Sequence, residues 1–305
     1  MYHVIETSGL NYRTSGATIL QDINLQVPYA SIYGFLGPNG AGKTTTIKLL
    51  LGLLKKQQGN IRIKNRPFDG NRVALLRGIG ALIESPSLYP NLTAREHLQL
   101  MRRVYQCPES RIQEVLQLVG LTDAEGKRTG HFSLGMKQRL AIGMTLLHRP
   151  SLLILDEPTN GLDPQGIIEM RELLKKLNEE RDMTILVSSH MLAEVEKLVT
   201  HIGIINKGSM RYQGPLKDLQ AGPFERLTEI TVNDPVKAAG IAAASGIPVK
   251  IGENHILWPA ADPDLIAGLN SRLVHAGLEV SQIATRNNDL ESVFIDLLNT
   301  PHAVH

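Results

Sequence analysis

The chain has 305 residues, 42% hydrophobic and 20% charged, with 32 Lys and Arg against 30 Asp and Glu. That length suits one large domain or two smaller ones with a sizeable core. The net charge of +2 is too small to argue for nucleic acid or an anionic membrane surface, and the single cysteine, Cys107, excludes an intrachain disulfide and fits a reducing, cytosolic compartment. The first residues hold no basic stretch followed by an apolar run, so no signal peptide is expected. No apolar stretch approaches the roughly 20 residues needed to span a bilayer.

Residues 1–35 read as short strands with turns at Ser8-Gly9, Thr14-Ser15-Gly16 and Pro28, an antiparallel β region. Residues 30–36 read as a buried strand. It runs into Gly37-Pro38-Asn39-Gly40-Ala41-Gly42-Lys43-Thr44-Thr45, and residues 45–51 read as a helix. The run fits the phosphate-binding loop pattern G-x-x-x-x-G-K-[ST] without a mismatch. Gly37, Gly40 and Gly42 allow positive φ and close backbone approach to an anion. Successive N–H groups then form a nest for phosphates. Lys43 reaches the β/γ-phosphates, and Thr44 offers a hydroxyl to Mg²⁺. The strand–loop–helix context disfavours the bland alternative, a glycine-rich turn that binds nothing.

Residues 59–65 form a short alternating strand. Residues 92–119 look helical, with a capping box at Thr93-Ala94-Arg95-Glu96. Residues 126–130 are a polar loop. From 136 a helix begins, with Met136, Leu140, Met144 and Leu147 on one face, and Pro150 closes it. Residues 151–156 are an apolar strand ending in Asp156-Glu157, which places two carboxylates where ligands sit in open α/β sheets. Asp156 is suited to hold Mg²⁺ through water. Glu157 is suited to polarise an attacking water. Residues 166–179 read as a helix and 183–188 as another buried strand, so the alternation argues for an α/β parallel core. Ser133 is a good N-cap before a helix, and Gly135 permits close approach. A second phosphate site at a helix N-terminus suits a dimer that shares two nucleotides.

The composition shifts near 213–215 and 221–223. A boundary there gives residues 1–225 as a nucleotide-binding domain and 226–305 as a small α+β accessory domain. The order from 226 is strand, helix, two strands, helix, strand, then a helix at 290–298, which is ferredoxin-like.

Phe132-Ser133-Leu134-Gly135-Met136-Lys137-Gln138 decides the family. With the phosphate loop and the Asp156-Glu157 strand, it resembles the ATPase subunits of ATP-binding-cassette (ABC) transporters. Their signature reads Leu-Ser-Gly-Gly-Gln; this chain keeps the serine and the second glycine and departs at Phe132, Leu134 and Met136. The resemblance implies a P-loop ATPase fold with a parallel core sheet, an antiparallel β subdomain and a helical subdomain. It implies that Tyr12 stacks on adenine, that the Asn160-Gly161-Leu162-Asp163 loop crosses a dimer interface, and that His190 holds the γ-phosphate. The family's usual glutamine is replaced by Glu84, a residue implied to sense Mg²⁺ and the attacking water. The segment around Glu84-Ser85-Pro86 looks like the bacitracin-resistance and lantibiotic self-protection branch.

That resemblance implies a cytoplasmic ATPase, peripheral on the plasma membrane. It would use ATP and Mg²⁺, pair with itself, bind membrane permeases made as separate chains, and need no nucleic acid. The implied catalytic set is Lys43, Glu84, Glu157 and His190. The implied metal set is Thr44, Glu84 and Asp156. Ser133, Gly135 and Asp163 join Tyr12 and residues 37–45 as nucleotide contacts. Two other readings stand beside it: a soluble ABC-type ATPase on ribosomes or DNA, disfavoured by the single cassette and the absence of heptads, and a non-hydrolysing scaffold, disfavoured by the intact Lys43, Glu157 and His190.

Overall fold

The computed structural model describes residues 2–286 except 15, 85, 222–226, 245–248 and 260–261, together with 294 and 297. The helix expected at 290–298 therefore lies outside the described residues. The chain divides into two compact units between residues 216 and 217.

In chain order the first unit runs β1 (His3–Thr14), β2 (Ala17–Ile23), β3 (Gln26–Pro28), β4 (Ile32–Leu36), α1 (Lys43–Leu50), β5 (Gln58–Ile63), β6 (Arg66–Pro67), α2 (Arg72–Leu76) and β7 (Ile79–Leu82). It continues with α3 (Ala94–Tyr105), α4 (Ser110–Leu118), α5 (Leu134–Leu146), β8 (Leu152–Asp156), α6 (Pro164–Arg181), β9 (Thr184–Ser189), α7 (Leu192–Val195), β10 (His201–Asn206), β11 (Ser209–Pro215) and α8 (Leu216–Ala221), the last crossing the division.

A six-stranded sheet has the order β11-β10-β4-β9-β8-β7. All its pairings are parallel except β10 with β11. Every residue of β4, β8 and β9 is buried. That is why their sequences are near-continuous apolar runs: a parallel sheet covered on both faces has no solvated side to alternate toward. A second, antiparallel sheet has the order β2-β1-β5-β6, with β3 also on β1. One hydrophobic cluster, including Ile5, Leu10, Tyr33, Phe35, Ile47 and Ile154, joins the two sheets through α1.

Two expectations change. Ser8-Gly9 is not a turn. β1 runs through it, with Gly9 at φ +57° and a register shift against β5 between Ser8 and Asn11. A glycine at positive φ makes a bulge that bends a strand without ending it. The helical stretch 92–119 is two helices. Gln106 leaves α3 in the left-handed region, and Pro108 follows before α4. The capping box is present: the Glu96 N–H donates to Thr93 Oγ1 at 3.2 Å, and the Thr93 N–H donates to Glu96 Oε2 at 2.7 Å.

The second unit holds β12 (Leu227–Val232), α9 (Pro235–Ala243), β13 (Lys250–Ile251), β14 (His255–Pro259), α10 (Pro263–His275) and β15 (Val280–Arg286). Its antiparallel sheet has the order β13-β14-β12-β15, a split β–α–β arrangement. Both helices start with Asp then Pro. Asp234 and Asp262 accept first-turn N–H groups, and the prolines occupy a position whose N–H is not needed. Ile230, Ile256, Trp258, Leu269 and Leu273 are buried between sheet and helices.

Candidate functional site

The site lies at the carboxyl ends of three adjacent strands. β4 leads into the loop 37–42, β8 ends at Asp156, and β9, between them, ends at Ser189. This is where an open α/β sheet leaves a crevice. The strand order therefore brings together residues more than a hundred positions apart.

Gly40 takes φ +79°, with nothing within 4 Å of where a Cβ would stand. Gly42 takes φ +110° and is the N-cap of α1, with no side chain to accept the first-turn N–H groups. Those donors are left for an anion. Gly37 admits no side chain, because a Cβ would come within 2.3 Å of the Ile205 carbonyl oxygen. Lys43 is 5% exposed. Its Nζ donates to the carbonyls of Gly37 at 2.8 Å and Pro38 at 3.3 Å, and lies 3.4 Å from Glu157 Oε1.

Asp156 is buried, and both its oxygens are engaged. Thr44 Oγ1 donates to Oδ2 at 2.8 Å and Ser188 Oγ to Oδ1 at 2.5 Å. The Glu157 N–H donates to the same Ser188 Oγ at 3.0 Å. Glu157 sits at φ +49°, a conformation that costs a non-glycine residue roughly 1–2 kcal/mol. Its Oε2 is 3.0 Å from His190 Nδ1. The carboxylate is thus held between Lys43 and His190. Thr44, Glu84, Asp156 and Glu157 line one cavity of about 320 Å³ together with Leu134, Gln138 and Asn160. Thr44 and Asp156, a hydroxyl and a carboxylate already joined to each other, are hard oxygen donors that suit a magnesium ion; among the described residues no three His, Cys, Asp or Glu side chains are gathered closely enough to hold a metal by themselves.

Glu84 faces this cavity but is 69% exposed, and its Oε1 is paired with Lys48 Nζ at 2.9 Å. Tyr12 is half-buried and paired with Leu20 across β1 and β2. A Cβ on Gly42 would come within 2.5 Å of Leu20 Cδ2, so this hairpin lies against the phosphate loop. Ser133 caps α5, its Oγ accepting the Met136 N–H at 3.2 Å. Ser133 and Gly135 are not among the cavity's lining residues, although their neighbour Leu134 is. Asp163 caps α6, accepting the Gly166 N–H at 2.8 Å. Ser188 and Lys48 are site neighbours that sequence reasoning passed over. For Ser188 the signal was there: a hydroxyl at the end of a fully buried apolar strand needs a partner.

A phosphate loop with an uncapped helix behind it, facing a buried aspartate and a glutamate held by a histidine, defines a P-loop nucleotide hydrolase. The ABC transporter family profile matches residues 20–160. The bacitracin transport ATP-binding protein BcrA of Bacillus licheniformis is 41% identical over 98% of this chain and 98% of its own length. The lantibiotic transport ATP-binding protein SrtF of Streptococcus pyogenes is 45% identical over 63% of this chain and 82% of its own length. An ATP-binding cassette solved as a dimer in a post-hydrolysis state with ADP and phosphate is 25% identical and superposes with a TM-score of 0.61, covering 70% of this chain and 98% of that one. The chain belongs to the ATP-binding proteins of ABC transporters, and it binds and hydrolyses ATP.

Proposed function

We propose that this chain powers export of a peptide antibiotic of the bacitracin or lantibiotic kind through membrane permeases made as separate chains. The observation that carries the reading is the end-to-end similarity to a bacitracin transport protein, which extends through the second unit. No helix among the described residues is long and apolar enough to cross a membrane.

The geometry supports a division of labour. The 37–45 loop binds the triphosphate, with Lys43 turning from Gly37 and Glu157 toward the β/γ-phosphates. Thr44 and Asp156 hold Mg²⁺, with Glu84 close enough to add charge to its surroundings. The ion would supply charge neutralisation at the transferring phosphoryl group. Glu157 polarises the attacking water, and His190 orients Glu157 and contacts the γ-phosphate. Tyr12 offers a face to adenine. Ser133 and Gly135, exposed or half-buried and away from the cavity of their own chain, serve the nucleotide of a second copy. Asp163 holds the start of α6 and so the loop at that dimer interface. ATP then joins two copies, and its hydrolysis releases them. The difference in affinity between ATP and ADP drives the motion. We assign residues 1–225 to this engine and 226–305 to an accessory domain. The working place is the cytoplasmic face of the plasma membrane.

The test is a pull-down of tagged protein from gently solubilised source-cell membranes, followed by bacitracin and lantibiotic susceptibility of a deletion strain. A stoichiometric polytopic partner and raised susceptibility are expected. Ribosomal or DNA-repair partners without a membrane protein would overturn the reading.

A further inference from the structure

Residues 48–77 hold eight Lys and Arg and one acid, Asp69, whereas the other 275 residues hold 24 Lys and Arg against 29 Asp and Glu. The small net charge therefore conceals a basic segment on an otherwise acidic chain. Two of its cations are taken: Lys48 by Glu84, and Lys56 by Asp69 at 2.6 Å. The Arg62 guanidinium donates to the Asn65 carbonyl at 2.8 Å. Lys55, Lys64, Arg66, Arg72 and Arg77 are exposed. Among the described residues, none of these five lies within 4 Å of a carboxylate oxygen.

The fold gathers four of these charges. Arg72 and Arg77 line an open depression of about 450 Å³ with Asn71 and Val73. The Arg72 guanidinium lies over Gly52, where a Cβ would stand 2.6 Å from its Nε, and Lys64 Nζ lies beside Gly78, where a Cβ would stand 3.2 Å away. Partial burial, with Arg66 close by, lowers the Lys64 amine below its usual range. Like charges so placed repel one another, and an anion relieves them. The nucleotide is not that anion, since its site lies at the ends of β4, β8 and β9. Two large apolar side chains belong to the same segment, Leu53 at 61% exposure and Val73 at 69%. Its single aromatic residue, Phe68, is buried. Single-stranded nucleic acid calls for exposed aromatic faces to stack on. Dispersed cations with protruding aliphatic side chains match a lipid surface instead: headgroup phosphates for the first, the acyl boundary for the second.

We propose that the surface formed by Leu53, Lys64, Arg66, Arg72, Val73 and Arg77 binds the headgroups of anionic membrane lipids. The contact goes beyond the transport reading, because it needs only this chain and a bilayer.

The test uses the purified full chain, sedimented with vesicles of phosphatidylcholine alone or with one-third phosphatidylglycerol by composition. Binding to the anionic vesicles alone, weakening as salt rises, is expected. The combined variant Lys64→Gln, Arg72→Gln and Arg77→Gln should bind on the order of 10²-fold more weakly, at roughly a fivefold loss per cation. Its ATP turnover in solution should match the unaltered chain, because none of the three lies at the phosphate loop. Turnover and vesicle binding are read on the same samples, so failure of the lipid contact is distinguishable from failure of the ATPase. Absence of binding to anionic vesicles, equal binding to neutral ones, or a variant that binds as well as the unaltered chain overturns the proposal. A variant that loses the permease in a pull-down, with no vesicle binding by either protein, also overturns it and gives the surface to a protein partner.

Discussion

Lys43 Nζ and Glu157 Oε1 stand 3.4 Å apart, joining the phosphate loop to the end of β8. Lys43 is buried, so its charge needs partners. It finds two carbonyls and this carboxylate. On the proposed division of labour, a triphosphate entering the loop would offer Lys43 a stronger partner and free Glu157 to meet water.

Replacing Glu157 by Gln keeps the side chain's shape and removes its basicity. Turnover should fall by on the order of 10²-fold or more, the contribution of a positioned general base. ATP affinity should stay close to that of the unaltered chain. Steady-state hydrolysis beside equilibrium binding of a fluorescent ATP analogue checks both, and near-normal turnover would remove Glu157 from its assigned role.

Lys43→Ala acts at the other partner. It deletes a charge-assisted bond to phosphate, so nucleotide affinity should drop about 10- to 100-fold. Calorimetric titration with ATP measures it. An unchanged affinity would mean that the loop's N–H groups carry binding alone.

Glu84 is solvent-exposed, and its pair with Lys48 is open to water. Glu84→Gln should therefore change folding free energy by less than about 1 kcal/mol. Its effect should appear at the metal instead. With one carboxylate fewer on the cavity, half-maximal ATPase should need more Mg²⁺, and Lys48→Gln should shift that requirement the opposite way. Magnesium titrations of both variants decide. If both curves overlie that of the unaltered chain, Glu84 is not part of the ion's surroundings.

Glu114 offers a pH prediction. Arg111, Arg181 and Arg149 all pair with it, and the Arg111 contact is foremost in holding its carboxyl down at about 2, against an ordinary 4.5. A folded-state value below the unfolded one stabilises the fold above the unfolded value and ceases to do so as pH falls through the folded one. Glu114→Gln should therefore be less stable than the unaltered chain at pH 6. The gap in thermal midpoint should close between about pH 4.5 and pH 2. A gap that stayed constant down to pH 2 would refute the assignment.

Much of this protein is legible in local sequence because its central strands are buried on both faces. The apolar runs ending at Leu36, Asp156 and Ser189 name themselves as parallel strands, and the loop glycines name the phosphate site. Capping residues such as Thr93 and Asp234 announce helix starts, because an orphan N–H needs a nearby oxygen. Less legible are features with no local signature. The bulge at Gly9 reads as a turn, since a glycine at positive φ serves either one. The break between α3 and α4 turns on the left-handed backbone at Gln106, although Pro108 just after it is a local signal that sequence reasoning passed over.

The sequence by itself determined the phosphate loop, the two carboxylates and the run 132–138 that points to the family, because those residues follow one another in short runs with fixed spacing; His190 came only as what the family resemblance implies. Only the tertiary structure decided which of them meet. β9 lies between β4 and β8, and so Lys43, Glu157, Ser188 and His190 share one crevice. It also decided that Lys48 takes up Glu84 and that Arg72 and Arg77 line one depression with no carboxylate within 4 Å of either among the described residues. Strand order and side-chain burial are set by long-range packing, and no local spacing encodes them.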